Sequence, residues 1–292
     1  MRLDVWKAAR SLAMGALLVP AGAAPALAQA DFAGNWSARY QEDFLERIPG
    51  PDLGDYLGLP INASARQFAE SWDPSRITLP EEQCRVHVSP YIYRGPLNLR
   101  IWEERDPATQ ELIAIKHTIS TYDQTRTIYM DGRPHPSELA PHTWMGFSTS
   151  KWVGDMLVVS TTHLKQGWIR RNGLPMSDRA TLTEMFVRIG DVLSRTSVTH
   201  DPVYLTEPLV KNEEFTLNPR SQPPQAFLYE CKPVVEVAGR KRGAVPAFQL
   251  GENPFTKEFR DKHKLPKVAT DGGAETMYPE FADTLKQAGQ VK

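Results

Sequence analysis

The chain has 292 residues, 41% of them hydrophobic and 24% charged, with 24 Pro, 19 Gly and two Cys; its formal net charge is -1. Without a basic excess there is no broad electrostatic footprint for duplex nucleic acid. An aromatic content of 9% is too high for a generic disordered chain, and two cysteines are too few for a disulfide scaffold or a Cys-rich zinc module.

Residues 1–30 have the layout of a secretory signal peptide. Arg2, Lys7 and Arg10 form a basic start, Leu12 to Val19 an apolar stretch, and Ala28-Gln29-Ala30 a small-residue cleavage site before Asp31. Ala26-Leu27-Ala28 offers an alternative cut two residues earlier. The apolar run is too short to span a bilayer and is followed by Pro20 and Pro25. A periplasmic or secreted product is therefore expected, with no membrane insertion after cleavage. Removing three basic residues and Asp4 brings the formal charge to -3.

From Asp31 onward, residues 31–217 read as one β-barrel domain with an N-terminal wrapping segment, and 218–292 as a C-terminal wrapping segment with a partly flexible tail. Residues 41–82 are punctuated by Pro and Gly and hold one helical window, 63–72. Strands are expected over 34–40, 86–93, 98–104, 111–121, 126–130, 156–164, 181–189, 192–200 and 208–217. The two-residue alternation places Ile113, Ile115, His117 and Ile119 on one face, and Leu157, Val159, Thr161 and His163 on another. Gly190-Asp191 is a hairpin signal, and Trp152 to Asp155 reads as a tight turn. This many short strands imply a mainly β fold, a barrel or a sandwich. A charged stretch, 257–267, and a helical window near 279–288 follow. In an oxidising compartment Cys84 and Cys231 are expected to pair. Such a bridge would close a loop worth roughly 5 kcal/mol in the chain-entropy account.

Several polar residues fall where a plain core would not want them. His117 and His163 lie among apolar neighbours, and Glu184 and Arg188 share a face with Leu182 and Phe186. In a barrel enclosing a cavity, such groups orient a ligand. The densest polar stretch is Arg126 to Pro136, continuing to His142-Thr143-Trp144. There Asp131, Arg133 and His135 form a candidate catalytic or ligand-orienting cluster. No HExxH, C-x-x-C, G-x-S-x-G, Walker or G-x-G-x-x-G pattern occurs, so neither a metal nor a cofactor is expected. The basic turn Arg170-Arg171-Asn172-Gly173 could meet an anionic ligand.

The runs RTIYMDGRPHP (126–136), HTWMGFSTSKWVGDMLVVSTTHL (142–164), GWIRRNG (167–173), TEMFVR (183–188) and DPVYLTEP (201–208) resemble a widespread family of exported, mostly uncharacterised bacterial proteins described as lipocalin-like. The opening Gly34-Asn35-Trp36 is similar to the G-x-W start of lipocalin barrels. The resemblance implies a lipocalin-like antiparallel barrel and a shared site that includes His135, Trp144 and His163.

Two functional readings follow. In the first, an internal cavity binds a small apolar or aromatic molecule, with His117, Arg133, Trp144 and Arg188 as ligand contacts. In the second, the same cavity houses an isomerase, lyase or hydrolase. His135 or His163 would act as base, with Asp131 or Glu184 as its orienting carboxylate.

Overall fold

The computed structural model describes residues 29–40, 50–89, 91–94, 98–119, 124–220, 239–241 and 244–288. The fold is mainly β. Strands β1 (Gly34–Ala38), β2 (Leu99–Arg105), β3 (Leu112–Ile119), β4 (Gln124–Tyr129), β5 (Phe147–Val153), β6 (Met156–Thr162), β9 (Thr181–Ile189), β10 (Val192–His200) and β11 (Leu209–Leu217) form a closed barrel. Its order is β1-β11-β10-β9-β6-β5-β4-β3-β2. A two-stranded ribbon, β7 (Gly167–Trp168) and β8 (Pro175–Met176), lies outside it.

A nine-strand ring cannot alternate direction all the way round. One neighbouring pair is accordingly parallel: β4 and β5, with Ile128 opposite Ser148 and Tyr129 opposite Thr149. The antiparallel expectation did not include this junction. A parallel pair needs a long crossover, supplied here by residues 130–146. The crossover returns along the outside of β6, where Thr143 N donates to the His163 carbonyl and Lys165 N to the Thr143 carbonyl, both at 2.9 Å. Gly146 makes the re-entry possible, with φ +69° and a position where a Cβ would stand 2.6 Å from the Thr162 carbonyl oxygen.

The expected strand at 86–93 does not form. The chain has no regular structure over 85–88 and makes a 3₁₀ turn at Tyr91–Arg94. Pro90 offers no N–H to a ladder, and the residue before a proline is itself restricted. The segment instead folds inward, burying Val86, Val88, Tyr91, Ile92 and Tyr93.

Two apolar clusters organise the interior. One fills the barrel around Trp36, Leu99, Ile101, Ile115, Ile128, Leu157, Phe186 and Phe215. The other joins one end of the barrel to the wrapping segments through Leu59, Ile61, Leu164, Leu174, Met176 and Leu205. Helix α1 (Ala63–Glu70), capped by Asn62, presses Ala65 and Ala69 onto that second cluster. A four-residue helix α2 (Pro80–Gln83) follows. The charged C-terminal stretch becomes α3 (Pro254–His263), started by Asn253 and Pro254, then α4 (Lys267–Thr270) and α5 (Phe281–Gln287). It wraps back onto the early segment, with Asn253 Nδ2 donating to the Glu70 carbonyl at 2.9 Å and Arg66 Nε to the Asp271 carbonyl at 2.5 Å. The end of the barrel rimmed by the β2–β3, β5–β6 and β9–β10 turns is left for the N-terminal residues Gln29–Ala33.

Candidate functional site

Strand alternation carries four charged side chains into the barrel. On β9, Leu182, Glu184 and Phe186 point inward; on β10, Leu193, Arg195 and Ser197; on β11, Glu213 and Phe215. Arg126 enters from β4. Each of the four charged residues is 2% exposed or less. Glu184 sits between two guanidinium groups. Arg126 binds both its carboxylate oxygens, the Nη1 contact at 2.8 Å, and Arg195 Nε donates to Oε1 at 2.8 Å. Arg195 Nη1 continues to Glu213 at 2.6 Å, and Arg94 reaches Glu213 at 3.7 Å. Burial alone would raise the Glu184 pKa, but Arg126 and Arg195 hold it at about 2.

Neutral groups complete the network. Arg126 also donates to Ser148 Oγ, to Thr161 Oγ1 at 2.8 Å and to Tyr93 Oη at 2.9 Å. Tyr93 Oη lies 2.9 Å from His117 Nδ1. Since the phenol accepts from Arg126, it donates to His117, whose other ring nitrogen then carries the proton. Burial, reinforced by Arg126, lowers the His117 pKa to about 3, so this ring is neutral. Arg195 lies 4.0 Å over the Tyr93 ring.

Above this network, toward the open end, the layers become aromatic. Phe186 stands 5.3 Å from the His117 ring, Phe32 is 6.4 Å from Phe186, and Phe32 stacks on Trp152 at 5.4 Å. Phe32 is anchored through its carbonyl, which accepts from Trp36 Nε1 at 3.0 Å. Around it lies a cavity of about 460 Å³, within the range for small-molecule sites. Its apolar wall comes from Ala30, Phe32, Ile101, Leu112, Ile115 and Trp152; Glu103 and Arg105 pair with each other at its rim. The Trp152 indole N–H is buried and has no acceptor among the described residues.

The histidines of the crossover lie on the other side of the barrel wall. Ser148 and Thr161 point inward to Arg126, so their neighbours Thr149 and Thr162 point out. His135 bonds both of these, Nδ1 to Thr162 Oγ1 at 2.8 Å and Nε2 to Thr149 Oγ1 at 2.9 Å. His163 joins through Nδ1 to Thr162 Oγ1 at 2.7 Å, while its Nε2 donates to the Ser137 carbonyl at 2.9 Å. That carbonyl can only accept, which orients the whole chain: His163 donates to Ser137, Thr162 to His163, His135 to Thr162 and Thr149 to His135. Burial and the neighbouring His163 lower the His135 pKa. The chain ties the crossover to β5 and β6.

The sequence-derived candidates therefore separate. His117 and Glu184 face inward, as the alternation implied. His163 does not share that face: β6 ends at Thr162, and His163 turns outward with φ +57°. Glu184 and Arg188 do not pair, because four residues along a strand span about 13 Å. Arg188 instead reaches the rim, bonding the carbonyls of Gly190 and Asp31 and lying 5.3 Å over Trp36. Asp131 and Arg133 form an exposed pair in the crossover, with the guanidinium 3.7 Å over Tyr129, and neither reaches His135. Trp144 is held between Arg85 and Lys165.

Residue reasoning missed Arg126, Arg195, Glu213 and Tyr93. A signal for one was present. A two-residue turn at Gly190-Asp191 pairs Ile189 with Val192, which places Arg195 opposite Phe186 and diagonal to Glu184. Among the described residues no group of three or more His, Cys, Asp or Glu could hold a metal ion, and no helix is long and apolar enough to cross a membrane. Residues 1–28 and Cys231 lie outside the described residues, so the signal peptide and the Cys84–Cys231 bridge remain expectations.

No protein-family model and no curated protein matches the chain.

Proposed function

We propose that this protein is an exported barrel that binds a small apolar or aromatic molecule in the cavity at its open end. The observation that carries the reading is the cavity at the open end, whose wall is formed by Phe32, Ile101, Leu112, Ile115 and Trp152. A wall of this composition favours an apolar or aromatic molecule. The ion network lies beneath Phe186 and acts as the floor of the barrel, with Glu184 and Glu213 held by arginines. The export signal in residues 1–30 and the likeness to exported lipocalin-like proteins support a periplasmic or secreted location. Binding is favoured over acid–base turnover because His135 and His163 stand on the outer wall, across it from Glu184.

The test is mass spectrometry of small molecules that co-purify with the mature protein, followed by titration with the neutral fluorophore N-phenyl-1-naphthylamine. Leu112→Trp fills the cavity from its rim and should abolish probe uptake. Equal uptake by this variant and the native chain would overturn the reading.

A further inference from the structure

The basic turn Arg170-Arg171-Asn172-Gly173 is not part of the barrel mouth, yet the structure builds it in an alternating way. Arg170 and Asn172 are buried and turned toward the early wrapping segment. Arg170 Nη1 lies 3.5 Å from Asp55 Oδ2, and Asn172 Nδ2 donates to the Asp55 carbonyl at 2.6 Å. Arg171, between them, is exposed and forms no ion pair among the described residues. Gly173 closes the turn at φ +93°, and a Cβ there would meet Trp72 Cβ at 2.5 Å. The turn thus sets the position of Trp72 while presenting Arg171 beside it.

A separate cleft of about 250 Å³ opens at this point, lined by Trp72, Trp168, Arg85, Arg171, His87 and Glu82, among others. Trp72 and Trp168 meet edge to face at 4.7 Å, and Arg76 sits behind them, 5.6 and 5.9 Å from their ring centres. Glu82 is the acidic residue of the lining and is shared by two cations, Arg76 at 3.2 Å and Arg85 at 2.8 Å. Among the described residues of the lining, Arg85 and Arg171 outnumber Glu82, so these residues give the cleft an excess of positive charge. Burial, with Arg171 nearby, lowers the His87 pKa to about 4, which leaves a neutral ring in the wall.

From the fixed tryptophan pair, the surplus cations and the size of the cleft, we propose that it is a second binding site, for a one-ring aromatic carboxylate. The ring packs against Trp168 and Trp72, and the carboxylate pairs with Arg171, with Arg85 as its neighbour. The volume admits a single ring with its acid group. A neutral ring leaves the guanidinium charge unused, and an aliphatic acid leaves the indole faces unused.

The experiment is calorimetric titration of the native chain with benzoate, in parallel with benzyl alcohol and cyclohexanecarboxylate. Saturable benzoate binding at about millimolar concentration or tighter is expected, with both analogues at least about five-fold weaker. Arg171→Gln changes an exposed side chain, so it should fold normally and weaken benzoate by about five- to ten-fold, as loss of one charge-assisted contact implies. No saturation by about 10 mM benzoate, equal binding of benzyl alcohol, or an Arg171→Gln affinity within two-fold of native would each overturn the proposal.

Discussion

Glu184→Gln tests the interior network most directly. The substitution keeps the size of the side chain and removes one charge from a group that is fully buried between Arg126 and Arg195. In the native barrel Arg126 and Arg195 are offset by Glu184 and Glu213. After substitution both guanidinium groups remain buried, and Glu213 contacts Arg195 alone of the two. Breaking a buried pair by removing one partner costs about 3–5 kcal/mol, because the uncompensated charge stays out of water. That is a large part of the roughly 5–15 kcal/mol that stabilises a typical native protein. The assay is urea denaturation of the native chain, Glu184→Gln, Arg126→Met and the double variant Arg126→Met/Glu184→Gln. The double variant restores charge balance and should be less destabilised than the sum of the two single ones, by more than about 1 kcal/mol. A Glu184→Gln loss below about 1 kcal/mol, with additive double-variant behaviour, would refute the claim that these charges are dry and mutually dependent.

Acid should destabilise the fold through its neutral buried histidines. His117 and His87 have folded pKa values of about 3 and about 4, below the unfolded value of 6.5, so the unfolded chain takes up protons first as the pH falls. Their stabilisation is complete above about pH 6.5 and is lost below it; between pH 7 and 5 the two together should cost about 4 kcal/mol. Denaturant midpoints across that range check this, and His117→Phe should remove about half of the dependence. His135→Ala should loosen the crossover, costing about 1–3 kcal/mol through its threonine contacts, while leaving probe uptake at the barrel mouth unchanged; loss of uptake would count against two separate locations. In the exported protein, thiol labelling under denaturing, non-reducing conditions should find Cys84 and Cys231 unreactive until a reductant is added.

Eight of the nine barrel strands, the β9–β10 hairpin and the inward direction of His117 and Glu184 were legible from local alternation, because a strand's two faces repeat every two residues whatever lies beside it; β5 was not among the expected strands, and the one expected at 86–93 does not form. The α1 window was legible for a similar reason, since helical periodicity is local, although the helix stops at Glu70. What lies across from each residue was not. Arg126 reaches Glu184 only because closure brings the β4 and β9 faces together across the interior, and Tyr93 arrives from a 3₁₀ turn in a segment that reads as a strand. His135 and His163 were grouped with inward residues because the end of β6 and the path of the crossover depend on the parallel junction. That junction is a consequence of closing a ring with an odd number of strands, a property of the whole barrel rather than of any segment. The sequence by itself therefore determined a β-rich chain with little net charge, and its first thirty residues set an expectation of export. Only the tertiary structure decided that its buried carboxylates Glu184 and Glu213 are paired with buried arginines, that its apolar cavity lies at the mouth, and that its basic turn faces a cleft lined by tryptophan. Charge pairing and cavity shape depend on distances between strands far apart in the chain, and a list of residues does not contain those distances.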